Sequence, residues 1–190
     1  MGSILPLFQP FWPPPENEKN MHITAMENAR RFIEKYLDPT EYQLILDVGS
    51  FDVNGSLRGL FDQPLWQYVG MDKEGAPENN VNVLLNVDGT FPFPDNTFDV
   101  LTSSSCLEHD ATFWRTFQEM IRVIRPGGLI YIMVPSCGCY HAYPIDCYRF
   151  LQDWHAAMAL TFPAVELLEQ YITPNCQWED NIGIYRKRII

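Results

Sequence analysis

Asp47, Gly49, Asn54 and Gly55 lie in residues 43–60, where a short apolar run (Leu44, Ile45, Leu46) gives way to a carboxylate and glycines. Apolar spacing then resumes at Leu57, Leu60 and Phe61. That pattern reads as buried strand, tight loop and helix. Such a loop leaves backbone N–H groups unpaired at a helix start, and its glycines let a ligand approach the main chain, which is the chemistry of a nucleotide-type cofactor site. The same arrangement also occurs as bare architecture. A second carboxylate, Asp72, closes the apolar run 66–72, 25 positions after Asp47. At the tip of a second strand it can accept hydrogen bonds from both hydroxyls of a ribose. It could also be a turn aspartate in Asp72-Lys-Glu-Gly75, but its position relative to the glycine loop favours the ribose.

These groups need elements to hold them. A Thr24-Ala-Met-Glu27 capping box opens a helix bearing Met26, Ala29, Ile33, Tyr36 and Leu37, stopped by Asp38-Pro39 and expected to pack on the sheet. Strands follow at 43–48, 66–72 and 81–86, the third closed by Val87-Asp88-Gly89. A Pro94-Asp-Asn96 turn introduces a fourth strand at about 98–103, with Ser103, Ser104 and Ser105 at its carboxyl end. Asp110 is suited to cap a helix carrying Phe113, Phe117, Ile121 and Ile124 on one face, ended by Pro126-Gly-Gly128 before a fifth strand at 129–134. Beyond Pro135 the pattern predicts a helix at 151–161 and strands at 165–172 and 181–188, whose short connection favours an antiparallel pair. Nearly continuous apolar strands alternating with helices specify a parallel sheet covered on both faces, with ligands beyond the strand carboxyl ends. Asp47, Gly49, Asp72, Asp88 and Ser103 all fall there.

The chain's 190 residues suit a single α/β domain over 21–190, preceded by an extended arm over 1–20. A net charge of -11 argues against nucleic acid and acidic membrane surfaces, because such binding rests on clustered Lys and Arg. Small neutral or cationic acceptors fit better. Five cysteines, an odd count in a chain large enough to need no staples, read as reduced thiols in a cytoplasmic protein. The apolar start lacks a basic segment and is broken by Pro6, Pro10 and Pro13, so it reads as neither signal peptide nor membrane span. Its Phe8, Phe11 and Trp12 suggest a homodimer contact, or an arm folded on its own domain.

The motifs Leu46-Asp-Val-Gly49, Tyr68-Val-Gly-Met-Asp72, Phe91-Pro-Phe-Pro-Asp-Asn-Thr-Phe-Asp-Val100, Leu107-Glu-His109 and Ile124-Arg-Pro-Gly-Gly-Leu-Ile130 occur in one order across about 43–135. Together they resemble the class I S-adenosylmethionine-dependent methyltransferases, particularly the type 11 group. The resemblance implies a Rossmann-like, doubly wound sheet in the order 3-2-1-4-5-7-6 with an antiparallel last strand. It also implies S-adenosyl-L-methionine as cofactor and a small-molecule acceptor. Carried over by position, it sets Asp47, Gly49 and the loop residues Ser50, Phe51 and Gly55 beside the amino-acid end of the cofactor. Asp72 falls on the ribose, Asp88 near the adenine amino group, and Ser103 or Ser104 under the methionine. The family's loop is usually Asp-x-Gly-x-Gly-x-Gly. Here Phe51 replaces the second glycine and the next is displaced to Gly55, so the loop must take another path.

Methyl transfer from a sulfonium is an in-line displacement whose leaving group departs neutral, so alignment and exclusion of water come first. A base is needed only for a hydroxyl or protonated amine acceptor, and His109, His141, Asp146 and Tyr148 are the candidates. Residues 139–149, dense in polar and aromatic groups, read as an acceptor lid, with Glu108, His141 and Arg149 as acceptor contacts. Cys137, Cys139, His141 and Cys147 are poorly spaced for zinc, so no metal is expected. His155 reads as a surface helix residue and Cys106 as buried packing. A nicotinamide-dependent oxidoreductase is disfavoured by the absence of Gly-x-Gly-x-x-Gly. Ser103-Ser-Ser-Cys106 does not suggest transfer to nucleobase amino groups. The remaining alternative is a non-catalytic module of this fold that binds cofactor or a protein partner.

Overall fold

The computed structural model describes residues 23–53, 55–174 and 177–189. Its order is α1 (Ile23–Tyr36), β1 (Gln43–Val48), β2 (Trp66–Asp72), β3 (Val83–Leu84), β4 (Phe98–Ser104), α2 (Phe113–Val123), β5 (Ile124–Pro135), α3 (Trp154–Thr161), β6 (Val165–Ile172) and β7 (Asp180–Lys187). Short 3-10 turns occupy Arg58–Phe61, Pro77–Asn79 and Leu107–His109. The strands form one seven-stranded sheet in the order β3-β2-β1-β4-β5-β7-β6, parallel except for the two pairings of β7. The expected order and antiparallel end are therefore present.

Side chains alternate across each strand, so successive residues enter opposite cores. Leu46, Leu101, Ile130 and Ile132 face α2 and α3 with Phe117, Met120 and Met158. Ile45, Val100, Tyr131 and Met133 face α1 with Ala25, Ala29 and Phe32. Hydrogen bonds from Thr24 Oγ1 to Asp180 (2.7 Å) and Asn28 Nδ2 to Thr173 (2.8 Å) fix α1 across the β6–β7 end. Thr24 thus lies inside the helix and its hydroxyl serves β7, which corrects the capping-box expectation.

Other boundaries differ for physical reasons. The third strand pairs only over Val83–Leu84, because the following backbone turns back on itself, Asn86 N–H donating to Thr90 O at 3.1 Å. β5 begins at Ile124, directly after α2, and runs through Arg125-Pro-Gly-Gly128. The register against β4 shifts between Phe98 and Val100, and a Cβ on Gly128 would lie 2.8 Å from Asp99 O, so only glycine permits this approach. Asp110 stands ahead of α2, accepting from Thr112 N–H at 2.8 Å, while Ile124 belongs to β5. α3 starts at Trp154, three residues later than expected.

Among the described residues no helix is long and apolar enough to cross a membrane. The arm over 1–20 and the dimer contact assigned to it lie outside the described residues.

Candidate active site

The carboxyl ends of β1, β2 and β4 bring together Gly49, Ser50, Asp72, Ser103 and Ser104, and the loop that leaves β4 adds Cys106, Glu108 and His109. Gly49 turns the chain out of β1 with φ +80, and its N–H donates to Met71 O at 3.0 Å. A Cβ there would collide with the Cys106 side chain, so the loop lies directly against the end of β4. Ser50 is buried, with Oγ donating to Asn80 O at 3.2 Å, and Asn80 Nδ2 returns a bond to Ser50 O at 3.0 Å.

Phe51 resolves the altered loop. It does not adopt a positive φ; among the described residues of the loop, Gly49 and Gly55 do. The Phe51 amide donates to Asp72 Oδ2 at 3.1 Å, and its ring packs on Gly75, where an added Cβ would lie 2.7 Å away. Gly55 N–H closes the far side of the loop on Asp52 Oδ1 at 2.7 Å. The other Asp72 oxygen accepts the Lys73 amide at 2.6 Å. A carboxylate has about four acceptor positions, so two amides leave capacity for further donors.

Asp47 has both oxygens occupied within the sheet, by Tyr68 Oη of β2 and by Thr102 Oγ1 of β4 at 2.9 Å. Burial pushes its carboxyl up to about 6 against those two donors. It ties three strands together at their carboxyl ends. Asp88 stands apart in the connection after β3, exposed, with its carboxylate accepting from the Thr90 amide (3.0 Å) and hydroxyl (2.7 Å). Ser103 is buried beside the Cys106 thiol, which burial holds well above the usual thiol range, although Cys106 as a whole is half-buried and not the fully buried packing residue expected. Ser104 is half-buried at the end of β4.

The connection after β5 folds back as a lid. Cys147 N–H donates to Glu108 O at 2.7 Å, and Ser136 Oγ donates to Phe150 O at 2.8 Å. Within it Arg149 grips both Asp146 oxygens (2.6 and 2.8 Å) and the Cys139 carbonyl (2.6 Å), while the His141 amide donates to Asp146 at 2.7 Å. Burial raises the Asp146 carboxyl, but Arg149 and that amide outweigh it and hold the group below its usual value. Asp146 and Arg149 therefore shape the lid. Tyr148 donates its hydroxyl to Ala111 O at 3.1 Å and packs edge-on against Phe113.

Glu108, His109 and His141 converge where lid and β4 loop meet. Glu108 is 1% exposed, and burial raises its carboxyl to about 8. His109 Nδ1 lies 2.6 Å from Ile145 O, and its ring meets that of His141 edge-on at 4.8 Å. Burial lowers the His109 pKa from its usual value. Trp178, from the β6–β7 connection, packs on the other side of His141 at 4.5 Å.

One expectation is corrected. His155 is fully buried, with Nδ1 2.7 Å from Tyr185 Oη and Nε2 3.3 Å from Asn181 O, and burial drives its pKa down to about 4. Thr102, Asn80 and Trp178, not singled out in sequence, and Tyr68, quoted there only as the start of a motif, support site residues from distant elements; no local spacing marks these roles. Two cavities, of about 460 and 200 Å3, lie elsewhere: one beside Arg58, Phe61 and Trp66, the other beside Tyr36, Gln43 and Asp99. Neither opens at the strand carboxyl ends where the candidate site converges.

The sheet order, with β7 antiparallel, is the fold shared with solved methyltransferases. A family model described as a methyltransferase domain matches residues 46–132. An uncharacterized methyltransferase of Mycolicibacterium gilvum (strain PYR-GCK) is 35% identical over 127 residues, covering 62% of this chain and 49% of that protein. The chain spans less than half the length of the curated relatives it matches. Among solved structures, Burkholderia thailandensis 1,6-didemethyltoxoflavin-N1-methyltransferase, with bound 1,6-didemethyltoxoflavin and S-adenosylhomocysteine, is similar with a TM-score of 0.67 at 17% identity, covering 87% of this chain and 79% of that one. The [4+2]-cyclase SpnF is similar with a TM-score of 0.64 at 18% identity, covering 87% and 81%. At these identities the likeness is one of fold.

Proposed function

We propose that the chain binds S-adenosylmethionine at the carboxyl ends of β1, β2 and β4 and transfers its methyl group to a small-molecule acceptor held under the 136–153 lid. The carrying observation is Asp72: a carboxylate at the tip of β2, fixed by two backbone amides at 3.1 and 2.6 Å and keeping acceptor capacity for ribose hydroxyls. Gly49, Ser50, Phe51 and Gly55 form the loop against the cofactor, and Ser103 and Ser104 lie under its methionine end. Asp47 acts by holding the strands in register, and Asp88 approaches the adenine only by movement of its exposed turn.

In the transfer, an acceptor lone pair forms the new bond to carbon as the sulfonium C–S bond breaks, and sulfur leaves neutral. The chain's part is alignment and exclusion of water. For a hydroxyl acceptor His109 is the best-placed base: the Ile145 carbonyl 2.6 Å from Nδ1 fixes the proton there and leaves the Nε2 lone pair available. Asp146 and Tyr148 are engaged within the lid and serve to position it. The acidic balance of -11 supports a small, uncharged or cationic acceptor and a protein that avoids nucleic acid, and the cysteine usage supports the cytoplasm.

One observation favours a second reading. Phe51 stands where the family's loop carries a glycine, and its ring packs on Gly75, three residues beyond Asp72, as in a module whose loop has filled part of its cofactor site. The fold by itself does not decide, since one neighbour of this fold is described as a [4+2]-cyclase. Incubating the protein with S-adenosylmethionine and a panel of hydroxyl, amine, thiol and carbon acceptors, and measuring S-adenosylhomocysteine, tests the proposal. Acceptor-dependent product, reduced at least tenfold in His109→Ala for a hydroxyl acceptor, is expected. Tight cofactor binding without turnover on any acceptor class would favour the module.

A further inference from the structure

Glu108, His109 and His141 each offer one ligand atom, and these atoms lie within 4.8 Å of one another. Their surroundings match those of metal ligands. The Ile145 carbonyl, 2.6 Å from His109 Nδ1, fixes the proton on that nitrogen, so Nε2 presents its lone pair 3.7 Å from Glu108 Oε1. His141 Nδ1 lies 3.2 Å from the Cys139 carbonyl and 3.4 Å from Asp146 Oδ2, and its ring offers one nitrogen to the cluster. Ligating histidines are characteristically oriented by such bonds from the other ring nitrogen to a carbonyl or carboxylate.

An independent observation points the same way. The Glu108 carboxyl is 1% exposed, and Oε2 has no hydrogen-bond partner among the described residues. A buried polar atom without a partner forfeits its hydration with nothing in return, the more so when charged, so its retention points to a ligand. The nearby positive charge is Arg149, whose Nη2 is 3.2 Å from His141 Nδ1, but its fork already lies on the Asp146 carboxylate.

We propose that Glu108, His109 and His141 bind one divalent first-row transition ion, with Zn2+ as the probe. Two imidazoles and one carboxylate are a borderline donor set that suits Zn2+ and its neighbours, whereas Mg2+ and Ca2+ favour oxygen. This site shares only His141 with the cysteine-rich set of 137–147 weighed from sequence and takes no thiolate. Zn–N bonds of about 2.0–2.1 Å require the ligand atoms to close from their present spread. His141, on the lid and 30% exposed in its side chain, is the most exposed of the three ligands and the one whose shift would close the set. With His109 Nε2 taken up as a ligand, the ion and not that imidazole would activate the acceptor, lowering the pKa of a bound hydroxyl or thiol. The released proton passes to water, and the anion forms its bond to the methyl carbon as the C–S bond breaks. This use rests on the methyltransferase reading; the binding does not.

The full chain, stripped with a chelator and dialysed, is titrated with Zn2+ against a chromophoric competitor, without cofactor, beside Glu108→Gln, His109→Ala and His141→Ala. One equivalent bound at micromolar affinity or tighter, weakened at least tenfold in each variant, is expected. His141→Ala changes a lid residue and Glu108→Gln keeps the side-chain shape, so metal-free melting curves identify any variant that fails to fold. No binding by the wild type below millimolar Zn2+, or one equivalent retained unchanged in all three variants, would overturn the site. Co2+ substitution adds a spectroscopic readout: d–d bands without a thiolate charge-transfer band are expected, whereas a thiolate band would move the ion to the cysteines and overturn it. S-adenosylhomocysteine titration of the same samples tests the methyltransferase reading separately.

Discussion

The imidazole of His155 is held neutral by its surroundings: Nε2 donates to Asn181 O at 3.3 Å, and Nδ1 accepts from Tyr185 Oη at 2.7 Å. Burial lowers its pKa from 6.5 to about 4. A depressed histidine contributes stability that is fully present above pH 6.5 and is lost as pH falls from there towards 4. By linkage the loss is on the order of 3 kcal/mol. The advantage of wild type over His155→Gln in chemical denaturation should therefore shrink as pH drops from 7 to 4.5, and a constant difference would contradict the burial. Gly183→Ala tests the same packing from β7. Its Cβ would enter the His155 ring, so a loss of at least ~2 kcal/mol is expected in urea unfolding. None of this was legible in sequence, where His155 reads as an exposed helix residue. Its burial comes from β7, which arrives 26 positions later, and α3 shows too little polar patterning to mark an inner face.

At the scale of elements, the loop between β1 and the 3-10 turn carries the account. Gly49 combines φ +80 with a Cα packed against Cys106. Gly49→Ala should destabilise by at least ~2 kcal/mol, from backbone strain of roughly 1–3 kcal/mol together with the collision. Cys106→Gly in the same chain should relieve the collision and leave the strain; full recovery or none would contradict that division. Strand, loop and carboxylate were legible because buried strands are short apolar runs and the punctuation is glycine. Asp72 stands at the strand tip where its spacing from Asp47 put it. The start of β5 was not legible: Pro126 and the two glycines are strong stop signals, yet a register shift and the Gly128 approach to Asp99 absorb them within the strand. The short β3 likewise follows from the Asn86–Thr90 turn and not from its apolar residues.

At the scale of the whole molecule, the sheet order was legible only through the motifs' resemblance to a known family, whereas the antiparallel pairing of β6 and β7 was legible in the residues, because the short 172–181 connection cannot make a parallel crossover. The lid was legible only as a region. Its hydrogen bonds join Cys147 to Glu108, and ring contact joins His141 to Trp178, pairings set by the closed chain and not by local spacing. The net charge of -11 predicts that the protein passes through a nucleic-acid affinity column at ~0.15 M salt, and retention there would contradict that reading. The central claim is that the sheet's carboxyl edge holds a nucleoside cofactor through Asp72. Calorimetric titration with S-adenosylmethionine and S-adenosylhomocysteine, beside Asp72→Ala, tests it most directly. Micromolar binding of at least one ligand, weakened tenfold or more in the variant, is the result the account predicts. No binding of either ligand, or binding unchanged by Asp72→Ala, would contradict it.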